Sequence, residues 1–130
     1  VNVVLFLLFL ARNRRRTTTA EVAAIDQLVE QWREQVVRPL RTARRHLKTA
    51  DTPFAGEPAS RLRDEIKRQE LAAERIQQLA IEARFPCATT GSGAESAAVA
   101  ARANLDAYAA CVGTLPAAAV DTLLQSFTQT

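Results

Sequence analysis

Five cations crowd one short stretch of the chain: Arg38, Arg41, Arg44, Arg45 and Lys48. Steps of three, four and three from Arg38 through Arg41 and Arg45 to Lys48 put them on one side of a helix, with Arg44 alongside. Guanidinium and ammonium groups lined up in this way grip carboxylates or phosphates rather than make or break bonds. On duplex DNA such a stripe would add a salt slope of about −0.9 per neutralised phosphate, and at an anionic membrane roughly 1 kcal/mol per basic residue near the surface. A plain solvated helix face has the same pattern.

The remaining residue types capable of chemistry do not assemble into a motif. Asp64, Glu65, Glu70 and Glu74 fall in an arginine-rich helical stretch without a neighbouring histidine or the Glu-x-x-His repeat of di-iron bundles, so they read as salt-paired surface. General acid or base work would need burial that raises a carboxyl pKa, and nothing in the sequence predicts that burial. His46, the single histidine, sits among cations and reads as an exposed side chain. Cys87 and Cys111 stand apart with no CxxC, which disfavours metal ligation. Two thiols with no secretory signal indicate a reduced, cytoplasmic protein, with Cys111 a small core residue and Cys87 in a loop; a disulfide between them is the alternative. Gly91-Ser92-Gly93 could cradle an anion, but it lacks a P-loop lysine and a preceding strand, and reads as a loop with a helix cap. No catalytic residue, cofactor site or metal site is therefore assigned.

The elements that carry these residues read as helices. The chain has 130 residues, 48% of them hydrophobic, with little aromatic content, which suits one domain over residues 1–130 with a single modest core. The opening run Val1-Asn2-Val3-Val4-Leu5-Phe6-Leu7-Leu8-Phe9-Leu10 is apolar on nearly every side, so helix one is expected at the centre of a bundle, ending near Arg14. It is roughly half the ~20 residues needed to cross a bilayer. The absence of methionine and the start in mid-run point to a missing N-terminal segment, which could also complete a membrane helix ahead of Arg12, Arg14, Arg15 and Arg16.

Thr18 and Glu21 form a capping box that should start helix two. From there Val22, Ile25, Leu28 or Val29, Trp32, Val36, Leu40, Ala43 and Leu47 recur at steps of three and four to about Thr49, with Trp32 as a core anchor. Pro39 interrupts this helix without shifting its phase, which predicts a kink or a short break after Val37. The stretch from Asp51 to Pro58 reads as a linker. A third helix from about Ala59 to Arg84 should bury Leu62, Ile66, Ala73, Ile76, Ala80 and Ala83, expose Leu71, and carry Arg61–Glu65 and Asp64–Arg68 pairs. Ser92 and Glu95 suggest a cap for a fourth helix from about Gly93 to Val112, closed by Gly113. Pro116 then opens a short fifth helix with Val120, Leu123, Leu124 and Phe127 on one face, a face that could pair with a second copy if the bundle leaves it uncovered.

Charge is polarised along the chain. Residues 1–50 hold ten Lys/Arg against four Asp/Glu, while residues 87–130 are slightly acidic. A basic half suits an acidic protein partner, nucleic acid or an anionic membrane surface. The lack of interleaved exposed aromatics or a helix-turn-helix pair weighs against nucleic acid.

Three segments carry a resemblance to a known family: the apolar opening Val1-Asn2-Val3-Val4-Leu5-Phe6, then Trp32-Arg33-x-x-Val36-Val37-x-Pro39-Leu40-Arg41, then Glu70-Leu71-x-x-Glu74-Arg75-Ile76. Together they resemble an uncharacterised proteobacterial family of small all-helical proteins, a domain of unknown function, over residues 1–85. The resemblance implies a soluble cytoplasmic bacterial protein whose relatives carry further residues before the position of Val1, and it implies no activity. Phe9 stands near where a tryptophan is expected in that family. The combined expectation is an all-α bundle of about five helices with a proline-kinked second helix. It would act without catalysis as a protein-interaction or adaptor module docking an acidic partner through Arg38, Arg41, Arg44, Arg45 and Lys48. Binding of nucleic acid or an anionic membrane surface by the same residues is the alternative, and an enzyme completed by upstream residues is a third.

Overall fold

The computed structural model describes residues 2–113 and 115–128, so Val1 of the opening run lies outside the described residues. The architecture is all-α. Helices α1 (Asn2–Arg12), α2 (Thr19–Trp32), α3 (Arg38–Lys48), α4 (Glu57–Arg84), α5 (Ala97–Val112) and α6 (Ala117–Thr128) are joined by short loops and one π-helical segment, Arg33–Val37. Two-residue strands β1 (Arg15–Arg16) and β2 (Ser92–Gly93) form a small antiparallel ladder in which Arg15 faces Gly93 and Arg16 faces Ser92. A ladder this short has no alternation to read, which is why the sequence does not announce it. The chain divides into two compact units, Val1–Leu28 with Ile81–Thr130, and Val29–Ala80.

In the first unit the core is apolar and built around α1. Val3, Phe6, Leu7, Leu10 and Ala11 are buried, whereas Leu5 and Phe9 are about half exposed, so α1 buries one broad face and is not enclosed on all sides as its composition suggested. Its main partner is α5, where alanines at Ala100 and Ala101 let the helices approach closely. Phe127 of α6 is buried with Ala11, Ala100 and Ala101, with Leu124 packed against them. The guanidinium of Arg12 lies 5.3 Å from the Phe127 ring centre. Phe127 and Leu124, which would have been free to pair with a second copy had the bundle left them uncovered, are therefore packed within the unit.

The cap at the start of α2 forms as its sequence predicts. Thr18 Oγ1 accepts from the Glu21 amide at 3.2 Å, and Glu21 Oε1 accepts from the Thr18 amide at 3.0 Å. The second predicted cap does not form, because Ser92 is taken up by β2 and α5 starts at Ala97, where Ser96 Oγ accepts from the Val99 amide. Gly113 closes α5 with a φ of 131°, a left-handed value that favours glycine.

One buried polar residue ties this unit together. Asn104 of α5 is fully enclosed and uses its whole hydrogen-bonding capacity. Its Oδ1 accepts from the Thr17 amide at 2.7 Å and from the Thr17 hydroxyl at 2.9 Å. Its Nδ2 donates to the carbonyls of Leu7 at 2.9 Å and Arg15 at 3.1 Å. Arg15 in turn donates from Nε and Nη2 to the carbonyls of Thr90 and Gly91, so this arginine is structural. Gly91 has a φ of 71°, and a Cβ there would collide with the Arg16 carbonyl.

Candidate functional site

The second unit carries the basic stripe, and its geometry begins with the π-helical segment. The Arg38 amide donates to the Arg33 carbonyl, an i→i−5 bond, while Trp32, Val37 and Arg38 all keep right-handed helical angles. Pro39, which has no amide hydrogen, falls in the first turn of α3, where its missing donor costs little. The chain thus accommodates the proline through a π turn rather than a break. The inward face widens across the π turn: Val37 is buried and Arg41 and Arg44 continue its line, while the expected Val36, Leu40 and Leu47 stay half-buried and Ala43 is exposed.

Arg41 and Arg44 converge on α4. Arg44 Nε donates to Glu70 Oε2 at 2.6 Å, Arg41 Nε to Glu70 Oε1 at 2.9 Å, and Arg41 Nη2 to Glu74 Oε1 at 2.9 Å. The Glu70 side chain retains 7% of its exposure, against 21% for Arg44 and 34% for Arg41. Hydrogen bonding from Arg44, reinforced by Arg41 and opposed by burial, holds the Glu70 carboxyl below the ordinary carboxylate range. The same bond raises Arg44 above its usual value. Glu70 is therefore buried as a carboxylate, the opposite of what a general acid needs. Nearby, Trp32 Nε1 donates to the Ala73 carbonyl at 2.9 Å, which anchors the half-buried indole by its polar edge.

These contacts select which side of α4 turns inward. Glu70, Ala73 and Gln77 are buried, Arg63, Ile66 and Glu74 are half-buried, and Leu62, Ile76 and Ala80 are exposed. The apolar face predicted for this helix is thus rotated. The desolvated carboxylate, two guanidinium partners and the indole hydrogen bond outweigh burying Leu62 or Ile76, whose exposure forgoes roughly 1.5–3 kcal/mol each at most. The predicted i,i+4 pairs on α4 give way to an exposed Arg68–Glu65 contact at 3.3 Å, while Leu71 is exposed as expected.

The other members of the stripe face solvent. Arg38 pairs with Glu34 one turn back at 2.9 Å, both side chains well exposed. Arg45, His46 and Lys48 are exposed, and Arg45 and Lys48 make no ion pair among the described residues. The stripe thus splits into an inner pair, Arg41 and Arg44, and an outer set, Arg38, Arg45 and Lys48. The inner pair could have been found by noting that Arg41 with Arg44 and Glu70 with Glu74 each stand about one helical turn apart on the two sides of the 51–58 linker. Elsewhere, Cys87 and Cys111 are free and half-buried. Among the described residues no group of three His, Cys, Asp or Glu side chains is placed to hold a metal ion, and no helix is long and apolar enough to cross a membrane.

Comparison with known proteins gives one result. Residues 1–81 match the family described as Protein of unknown function (DUF2390). No curated protein and no solved structure matches the chain.

Proposed function

We propose that this chain, which belongs to the DUF2390 family, is a non-enzymatic protein-interaction module that docks an acidic partner through the outer cations of α3, Arg38, Arg45 and Lys48. The observation that supports this reading is the division of labour within the stripe. Arg41 and Arg44 are occupied by Glu70 and Glu74, while Arg45 and Lys48 project from the same helix without an ion-pair partner among the described residues. The inner pair fixes the helix, so the outer cations present a preset spacing and lose less freedom on binding. Glu34 is a weak competitor for Arg38, since exposed pairs of this kind contribute only about 0.2–1 kcal/mol. A cytoplasmic setting belongs to the reading, because the two free thiols suit a reducing compartment.

Affinity purification of the intact protein and of an Arg45→Glu/Lys48→Glu variant, each with and without nuclease, tests it. The expected result is a stoichiometric acidic protein that survives nuclease and is lost from the variant. Recovery of nuclease-sensitive material alone would replace the protein partner with nucleic acid. Equal recovery of the same protein by both forms would move the docking site away from α3.

A further inference from the structure

The fold leaves the guanidinium of Arg63 uncompensated. Arg63 lies half-buried on the inward side of α4, and its Nε is sealed from water with no hydrogen-bond partner. It forms no ion pair among the described residues, in contrast to Arg41 and Arg44, which Glu70 and Glu74 hold across the same two helices. A buried N–H of a cation without an acceptor is costly, and such groups ordinarily mark a bound water or ion. Arg63 lines a cavity of about 240 Å³ where α3 ends and α4 begins, together with Leu47, Lys48, Ala55, Gly56 and Ser60. Its three polar side chains, Arg63, Lys48 and Ser60, can all donate hydrogen bonds. No carboxylate lines it: Asp51, Glu57 and Asp64, the acids nearest in sequence, are exposed and stand outside its wall. The helix ends do not decide its charge, because the C-terminal carbonyls of α3 and the N-terminal amides of α4 bring opposite partial charges that offset.

We infer that this cavity binds a phosphate monoester, with the phosphoryl group received by Arg63, Lys48 and Ser60. Two cations lining one cavity are neutralised by a dianion and not by a single carboxylate. A phosphoryl group carries about −1.5 to −2 charges at neutral pH and three acceptor oxygens, which matches three donors. The cavity is about eight times the ~30 Å³ share of one water molecule, so a phosphoryl group leaves room for the first atoms of its ester. The site shares Lys48 with the docking surface proposed above and needs neither Arg38 nor Arg45, so it stands if that reading fails.

The first probe is inorganic phosphate, titrated into the isotope-labelled full chain at constant ionic strength, with the Arg63 Nε–H and Ser60 amide resonances as readouts. Both signals are expected to move saturably, and acetate, with one charge and two oxygens, should bind about tenfold more weakly or worse. Arg63→Gln and Lys48→Gln, followed at the Ser60 amide, should each weaken phosphate binding roughly tenfold or more, the loss of one hydrogen bond to a charged group. Lys48 is exposed and Arg63 holds no bond within the fold, so both variants should melt with the natural chain, which separates lost binding from lost structure. Arg38→Gln with Arg45→Gln should change phosphate affinity by less than about twofold, which keeps this site distinct from the docking surface. Glycerol phosphate and a phosphoserine tripeptide follow. Tighter binding of either than of inorganic phosphate supports the monoester, and the better of the two assigns the phosphoryl group to a small metabolite or to a modified side chain. The proposal is overturned if phosphate causes no saturable shift, if acetate binds as well, if Arg63→Gln leaves the affinity unchanged, or if neither ester binds more tightly than inorganic phosphate.

Discussion

The two units are held by opposite kinds of polar centre. In the unit of α1, α5 and α6, a neutral side chain, Asn104, satisfies four hydrogen bonds inside an apolar core. In the unit of α3 and α4, a charged side chain, Glu70, gathers two arginines in a setting still open to water at its arginine side. A neutral hub is indifferent to salt and to acid, whereas a charged one responds to both. The charged hub also consumes cations that would otherwise be free to bind a partner. The same stripe of arginines therefore supplies structure on one side and leaves exposed cations on the other, to which the proposed function assigns recognition.

This contrast can be broken most severely at Asn104. Asn104→Ala strands the amide and hydroxyl of Thr17 and the carbonyl of Arg15 in the interior, at an expected cost of about 3–5 kcal/mol in urea unfolding. The loss should be the same at low and high salt. Gly91→Ala forces a left-handed backbone and a collision with the Arg16 carbonyl. It should cost about 2 kcal/mol or more and raise amide exchange across the β1–β2 ladder.

Glu70→Gln sharpens the comparison through pH. With the folded carboxyl lowered beneath the ordinary value of 4.5, the contribution of Glu70 is complete above that value and disappears as the pH falls through the folded one. The variant should lose about 2 kcal/mol at neutral pH relative to the natural chain, and the gap should close in acid. A gap that persists unchanged in acid would mean Glu70 acts by shape and not by charge. The smallest expected effect is at the helix cap, where Thr18→Ala should cost about 1 kcal/mol independently of pH near neutrality.

Much of the helical framework was legible in the residues, and the reasons are local. Thr18 with Glu21, Gly113 and Pro116 mark ends through the backbone groups beside them, and the structure places α2, α5 and α6 accordingly. The family resemblance read from the Trp32 and Glu70 segments agrees with the DUF2390 match over residues 1–81. What was illegible depends on distant partners. Ser92 reads as a cap until Arg16 draws it into a ladder, and Asn104 has no local signature because its partners Leu7, Arg15 and Thr17 are distant in the chain. The inward face of α4 was misjudged because hydrophobic periodicity cannot register a carboxylate buried by two arginines on another helix. The π turn at Arg33–Val37 likewise has no periodic signature beyond the proline that follows it.

Thermal unfolding of Arg44→Gln beside Arg45→Gln tests the division of the basic stripe most directly. Both substitutions remove one positive charge from adjacent positions of α3, so any general effect of charge is shared. The account predicts that Arg44→Gln lowers the melting temperature, because Glu70 loses its closest partner at 2.6 Å, while Arg45→Gln melts with the natural chain. Equal melting of the two variants, or a lower value for Arg45→Gln, would contradict the division of the stripe into an inner pair that holds Glu70 and an outer set that the fold does not need.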